Sequence, residues 1–179
     1  MVAYAHDSSP RSPHLSVRVL AHQTAIAQLD VREGSETVVP MDTWDGYTAS
    51  RERILDAARE RGVRNLVSIA GDLHRSVASE LRPDYDDDAS PNVGTEFVGT
   101  SISSGRDGMD HDETGRILLA ENPHIKYHNF QRGYVRCEVT PQQWTADYRV
   151  ADKVTEPDGT VSTRARLVVE DGDPTIHTT

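Results

Sequence analysis

The order of helix, tight stop and apolar strand over residues 47–71 constrains the fold of this chain more than any other feature. "YTASRERILDAARERG" has arginines and glutamates on one side and an apolar stripe on the other, which predicts an amphipathic helix with the stripe Ala49, Ile54, Leu55 and Ala58. Gly62 is a typical residue for the end of a helix. "NLVSIA", residues 65–70, follows at once and predicts a buried strand. A helix that leads directly into a buried strand is half of an α/β unit.

Two polar side chains follow this strand. It ends at Gly71, after which Asp72 and His74 stand two residues apart in the loop "GDLH". In open α/β sheets, ligands bind at the carboxyl ends of the strands, where both side chains can point into one crevice. A carboxylate and a neutral imidazole together suit iron, zinc or manganese, so Asp72 and His74 are candidate metal ligands, although two residues do not complete a site. A surface loop with a polar pair is the alternative that these residues leave open.

The rest of the chain predicts an α+β sandwich with helices on its faces. A strand opens in "VRVLAHQTAIAQLDV", and a short helix is expected near His22. "GTEFVGTSISSG" predicts a strand that ends in a Ser/Gly loop, and "TGRILLAENP" predicts a short helix that Pro123 stops. The alternating segments "GYVRCEVT" and "QWTADYRVA" predict a hairpin, and "TRARLVVEDGDP" predicts a last strand. "SVASELRP" fits a strand or a helix equally well.

Composition restricts the number of domains and the partners. The 179 residues suit one domain, and the net charge of −10 argues against a surface for nucleic acid or an anionic membrane. No apolar run approaches about 18 residues, so no membrane-spanning helix is expected. The first residues lack the basic start and apolar region of a signal peptide, and residues 1–14 are expected to form a disordered tail. The single cysteine, Cys137, lies in a strand pattern and is expected in the core.

Two further segments hold candidate binding residues, whereas no residue can be assigned a catalytic role. In "NFQRGY", Asn129 and Arg132 are candidates for substrate binding, because the bidentate fork of an arginine near a metal clamps phosphate well. An ordinary charge at the start of a strand is the alternative for Arg132. The acidic run "DYDDDAS" indicates a solvated loop, with a cation-binding loop as its alternative. "TSISSG" lacks the Gly-x-Ser-x-Gly pattern of a nucleophilic serine.

Four blocks in a fixed order carry a family resemblance: "DTWDGYTASRERIL", "NLVSIAGDLHRSVASEL", "VGTEFVGTSISSG" and "NPHIKYHNFQRGYVRCEVTPQQWTADYRV". Together they resemble the C-terminal part of the catalytic domain of the alkaline phosphatase D family, the PhoD-like metallophosphatases. The resemblance covers most of the chain. We therefore expect this part of the domain over residues 15–172, followed by a C-terminal tail at residues 173–179.

The resemblance implies a fold, an activity and a set of cofactors. The fold would be α+β, the back half of the four-layer α/β/β/α sandwich of metallophosphoesterases. The activity would be hydrolysis of phosphomonoesters and phosphodiesters, with a small phosphate ester as substrate, outside the cytoplasm. The cofactors would be iron and calcium, and Asp72 and His74 match the late metal-ligand motif of the family.

The chain also departs from the family pattern. It has no "GNHD" segment and no early aspartate after an apolar strand, so the N-terminal metal ligands of the family are missing. We therefore expect an incomplete hydrolase, which is either a truncated gene product or a chain that works with a missing N-terminal half, and apolar edges that are left exposed. A non-catalytic remnant or metal-binding module of the same fold is the alternative. A calcium-binding interaction domain that uses "DYDDDAS" is a third.

Overall fold

Residues 17–179 are described by the structure, which is a computed structural model. This part of the chain forms two α-helices, a short 3₁₀ helix and nine strands. In chain order they are β1 (Arg18–Ala21), the 3₁₀ helix (Trp44–Tyr47), α1 (Thr48–Glu60), β2 (Leu66–Ala70), β3 (Ser76–Leu81), β4 (Gly94–Val98), α2 (Glu113–Glu121), β5 (Ile125–Asn129), β6 (Gly133–Val139), β7 (Gln143–Ala151), β8 (Val161–Glu170) and β9 (His177–Thr178). The predicted tail at residues 1–14 lies outside the described residues.

The strands form two sheets. The first has the order β1-β2-β4-β3-β5, and the second has the order β6-β7-β8-β9. Strands β1, β2 and β4 are parallel, whereas β3 runs antiparallel to both of its neighbours, and the second sheet is antiparallel throughout. The segment "SVASEL", which fitted a strand or a helix, is therefore a strand. Because the parallel strands share one direction, their carboxyl ends lie at one edge of the first sheet.

The core lies on both faces of the first sheet. Alternate residues of its strands pack against the second sheet, where they form a core with the buried residues Val67, Ala78, Phe97, Trp144, Ala146, Tyr148 and Leu167. The opposite face packs against the helices, with Leu55 of α1 near Leu81 and with Leu118 of α2 near Val77 and Val98. The described residues thus form three layers, helices, sheet and sheet, which confirms the α+β class.

The outer face of the second sheet is charged, so it does not need a covering layer. Asp147 on β7 is buried because Arg136 and Arg166, from the two neighbouring strands, close over its carboxylate. The hydrogen bonds from Arg166 and then Arg136 hold the pKa of Asp147 below its ordinary value. Both arginines are half-exposed. No helix of the described residues covers this face.

The helix predicted near His22 is absent, and that prediction is wrong. Residues 22–31 cross the helix-facing side of the first sheet without regular secondary structure, and five of the ten are buried: Ala25, Ile26, Ala27, Leu29 and Asp30. Glu96 accepts hydrogen bonds from the backbone N–H groups of Ile26 and Ala27, each at 3.0 Å. Asp45 accepts one from Leu29 N at 3.0 Å. Because buried side chains satisfy these backbone donors, the segment needs no helical hydrogen bonds.

Side-chain burial differs from the prediction at two positions. Ala49 belongs to the predicted apolar stripe but is exposed, whereas Leu55 and Ala58 are buried as expected. Cys137, expected in the core, is exposed. It pairs with the buried Ala146 and so lies on the inner side of the second sheet, but β6 is the edge strand of that sheet.

The predicted tail at residues 173–179 includes a short element. Ile176 is buried with the core between the sheets, and β9 pairs with β8 through Thr178 and His177. The boundaries of the domain stay predictions. None of the helices between residues 17 and 179 has the length and apolar character needed to cross a membrane.

Candidate functional site

The carboxyl ends of the three parallel strands are tied together by backbone hydrogen bonds. Gly71, after β2, donates its N–H to the carbonyl of Gln23, after β1, at 3.1 Å. Gly99, after β4, donates to the carbonyl of Ala70 at 2.9 Å. The loop "GDLH" therefore starts from a fixed position at the centre of this edge, where open α/β sheets bind their ligands.

The loop has a strained backbone. Leu73 donates its N–H to the carbonyl of Gly71 at 2.8 Å, which closes a three-residue turn around Asp72. Asp72 has a φ of 70° and His74 a φ of 53°, both in the left-handed region that side-chain-bearing residues rarely adopt. A three-residue turn with a positive φ at its centre is the rare, strained form. Such strain persists only where the surroundings hold it, and it clusters at functional sites.

The side chains of this loop divide between the core and the surface. Leu73 packs against the core that contains Val77 and Val98, whereas Asp72 and His74 are both exposed. Neither polar side chain makes an ion pair or a hydrogen bond with the described residues. Their oxygen and nitrogen atoms are therefore available to a ligand from outside. The left-handed backbone at Asp72 and His74 places both side chains on the surface, while Leu73 between them packs into the core.

The chemistry of the two side chains fits a metal, but they form only part of a ligand set. Within residues 17–179 there is no group of three or more His, Cys, Asp or Glu that could hold a metal ion. A closed metal site needs more than two protein ligands, so further ligands would have to come from elsewhere. Metal binding by Asp72 and His74 stays a prediction.

Arg75 fastens the end of the loop to helix α2. Its guanidinium faces the Asp112 carboxylate with nitrogen–oxygen distances of 3.2 and 3.3 Å. Asp112 is the N-cap of α2 and accepts a hydrogen bond from Gly115 N at 2.8 Å. Arg75 also stacks over the ring of Phe130, with 4.9 Å between its guanidinium carbon and the ring centroid. The fork geometry of this pair fixes the direction in which the chain leaves His74. The sequence gives no signal for the pairing, since the partners are 37 residues apart.

Two histidines extend this cluster. Arg75 Nη1 lies 3.3 Å from His128 Nε2, and His128 Nδ1 lies 3.3 Å from His111 Nδ1. Because arginine only donates, His128 accepts on Nε2 and carries its proton on Nδ1, which donates to His111. Burial and then the charge of Arg75 lower the pKa of His128 to about 4, so the ring is neutral near pH 7. His128 thus contributes to holding Arg75 in place, and His111 contacts His128.

The two candidate substrate-binding residues are buried. Arg132 donates to Ser101 Oγ at 3.0 Å and to the Ser104 carbonyl at 2.6 Å, and also to the Phe130 carbonyl. Asn129 donates to Asp110 Oδ1 at 3.1 Å. Arg132 thus holds the Ser/Gly loop that follows β4, at the same edge of the sheet as Asp72. Contact of either residue with a substrate stays a prediction.

A buried hydrogen-bonded chain supports the neighbouring strand end. Trp44 Nε1 donates to His22 Nδ1 at 3.2 Å, so His22 carries its proton on Nε2 and donates to Ser68 Oγ at 2.7 Å. Ser68 in turn donates to Glu96 Oε1 at 2.9 Å. Burial raises the pKa of Glu96 and lowers that of His22. Glutamate inside the apolar run "TEFVGT" is a sequence signal for this network, and the prediction missed it.

Comparisons with known proteins match this chain over most of its length. A family profile described as "PhoD-like phosphatase" matches residues 7–148. Alkaline phosphatase D from Bacillus subtilis (strain 168) is 46% identical over 152 residues, which are 85% of this chain and 26% of that protein. A solved structure described as "Structure of PhoD" superimposes with a TM-score of 0.86 and 43% identity, over 91% of this chain and 31% of that one. The chain spans about a quarter of the length of its curated relative. On these matches, and on the fold that they share, the chain belongs to the PhoD-like phosphatase family.

Proposed function

We propose that this chain supplies part of the active site of a metal-dependent phosphoester hydrolase that acts on small phosphate monoesters or diesters. Family membership supports the reaction class, and the conformation of the "GDLH" loop supports this loop as the place where the metals would bind. The observation that carries the proposal is the exposed pair Asp72 and His74, which adopts two left-handed backbone conformations at the carboxyl end of a parallel strand. Action outside the cytoplasm, which the family resemblance implies, is part of the same proposal.

Each residue has a role in this proposal. Asp72 and His74 would be two ligands of the metals, for which the resemblance implies iron and calcium. When bound, such metals lower the pKa of water and neutralise phosphoryl oxygens. Arg75 and Asp112 hold the loop in its strained conformation. Asn129 and Arg132 stay proposed substrate contacts, and the loop at residues 101–104 would have to move before Arg132 could reach a phosphate, since it is fully buried beneath that loop.

A second candidate function is a metal-binding module without turnover. The observation in its favour is that Asp72 and His74 are exposed and available to an ion, while within residues 17–179 they are not joined by a third candidate ligand. The two candidates differ in whether hydrolysis accompanies metal binding. Both require that Asp72 and His74 bind the ion.

A metal-binding experiment on three variants tests the shared step. We expect calorimetric titration with Mn²⁺ to show weak binding to the purified chain, because Asp72 and His74 are only part of a ligand set. Asp72→Asn and His74→Ala should weaken this binding by about 10-fold or more, since each removes a ligand. The matched control is His177→Ala, which removes a half-exposed histidine near the C-terminus. Equal affinity in the His74→Ala variant and the unchanged chain would show that the loop has a structural role only.

A further inference from the structure

A pocket of about 450 Å³ opens next to the "GDLH" loop, and it has no role in the proposed metal chemistry. Gln23 belongs to both places, since its carbonyl accepts from Gly71 while the residue lines the pocket. The other lining residues used below are Thr24, Asp42, Trp44, Tyr47 and Ser50. A group bound here would contact Gln23, whose backbone is hydrogen-bonded to Gly71, the residue before Asp72.

Two aromatic side chains form one wall of the pocket. Trp44 and Tyr47 are the first and last residues of the 3₁₀ helix. Both side chains line the pocket, so the two rings lie on the same side of this helix. Tyr47 is 66% exposed. Trp44 is fixed by its hydrogen bond to His22 and by the edge-to-face packing of the two rings, whose centroids are 5.9 Å apart. A fixed indole beside an exposed phenol ring offers a flat apolar surface.

The remaining lining is polar and carries no positive charge. Ser50 accepts from Arg53 at 2.9 Å, which leaves its own hydroxyl hydrogen free to donate outward. Thr24 Oγ1 is buried and has no hydrogen-bond partner among the described residues. Asp42 is exposed and makes no ion pair within the described part of the chain. None of the described residues that line the pocket is basic.

We propose that this pocket binds the uncharged alcohol portion of the phosphate ester, in the form of a ring that carries hydroxyl groups, such as a sugar or a nucleoside. The ring packs on Trp44 and Tyr47, and its hydroxyl groups exchange hydrogen bonds with the Asp42 carboxylate and the Gln23 amide. The Asp42 charge disfavours a second phosphate, and an acyclic polyol has no flat face for the aromatic wall. The assignment of this ligand as part of the ester rests on the proposed function, whereas binding of the ring itself does not.

The test follows the two indole N–H resonances of the ¹⁵N-labelled chain during titration with uridine, methyl glucoside and glycerol, all of them uncharged. The spectrum of Trp44→Phe assigns its resonance. We expect uridine or methyl glucoside to shift the Trp44 signal along a saturable curve, while the signal of Trp144, buried between the sheets, stays in place. The ring ligand that saturates identifies the source as a nucleoside or a sugar.

Variants of exposed aromatic residues make the test specific. Tyr47→Ala should weaken the binding about 3- to 10-fold, because half of the aromatic wall is lost. Tyr134→Ala is the matched control, since Tyr134 is 44% exposed on β6, away from the pocket lining. The proposal is overturned if neither ring ligand saturates, if glycerol binds as well as they do, or if Tyr47→Ala leaves the affinity unchanged. Because the titration requires no metal and no turnover, its outcome is independent of the metal-binding experiment.

Discussion

The conformation of Asp72 and His74 depends on a residue that would bind neither substrate nor metal. Arg75 is mostly buried and contacts Asp112, His128 and the Phe130 ring. A strained loop keeps its conformation only if neighbouring contacts outweigh the cost of the strain, which is on the order of 1–3 kcal/mol for each such residue. The Leu73 anchor holds the middle of the loop, and Arg75 holds its end. The same residue therefore determines how precisely His74 is presented.

The Arg75 contact can be tested without any metal. We expect Arg75→Ala to raise the hydrogen-exchange rate of the Leu73 amide about 10-fold, because loss of a partly buried bidentate pair lets the turn around Asp72 open more often. Asp112→Asn should have a similar effect, and the double variant should be no worse than either single one, since both remove the same contact. Arg116→Ala, an exposed arginine on α2, is the control. Unchanged Leu73 exchange in Arg75→Ala would contradict this role.

The segment at residues 22–31, which has no regular secondary structure, positions the site as much as any helix or strand does. Its backbone is hydrogen-bonded by Asp45 of the 3₁₀ helix and by Glu96 of β4. At the end of α2, Asn122 donates to the carbonyl of Asp30 and accepts from the N–H of Asp30. His124 donates to the carbonyl of Gln28 at 2.8 Å. Gln23 and Thr24, at the start of this segment, line the pocket described above. Any change that loosens the segment should therefore move both the pocket and the neighbouring loop.

His124 makes the stability of this segment depend on pH. Burial lowers the pKa of His124 to about 4, whereas an unfolded histidine titrates near 6.5. As the pH falls from about 6.5 towards 4, the unfolded chain takes up a proton that the native chain does not, so the native state loses stability. This loss amounts to about 2 kcal/mol between pH 7.5 and 5.0.

A histidine replacement measures that contribution. We expect His124→Gln to make the free energy of unfolding in urea fall less between pH 7.5 and 5.0 than it does in the unchanged chain. The raised pKa of Glu96 acts in the opposite direction, but it is common to both proteins and cancels in the difference. His177→Gln, at a half-exposed position, should leave the pH dependence as it is. Identical pH dependence in all three proteins would mean that His124 is not held neutral in the native state.

For the whole molecule, the features that could be predicted from sequence are those set by neighbouring residues. The amphipathic pattern predicted α1, the apolar run before Gly71 predicted β2, and the alternating residues predicted the hairpin of β6 and β7. Contacts between distant residues gave no such pattern. Glu96 meets Ile26 across 70 residues, and Arg75 meets Asp112 across 37. The glutamate in "TEFVGT" signals a buried polar network but not its partners, so the path of residues 22–31 and the support of the "GDLH" loop could not be predicted.

The second sheet also shows where the described residues leave apolar surface uncovered. Its edge strand β6 carries Cys137 and Val139 on the side that faces the core, and Val139 is 50% exposed. An uncovered strand edge with apolar side chains is a ready site for pairing with another chain segment. The expected completion of the domain by a missing N-terminal half stays a prediction.

We expect the purified chain by itself to hydrolyse p-nitrophenyl phosphate, or its bis ester, very slowly or not at all. In the proposed function, the clamp that stabilises both the attacking and the leaving oxygen needs more metal ligands than Asp72 and His74, and residues 17–179 hold no group of three candidate ligands. The measurement is steady-state turnover with added Ca²⁺ and iron, with the alkaline phosphatase D of Bacillus subtilis as the positive control. Any residual rate that His74→Ala retains in full comes from a contaminant. Steady turnover that a chelator abolishes and that His74→Ala removes would contradict the prediction, and would show that these two ligands suffice for catalysis.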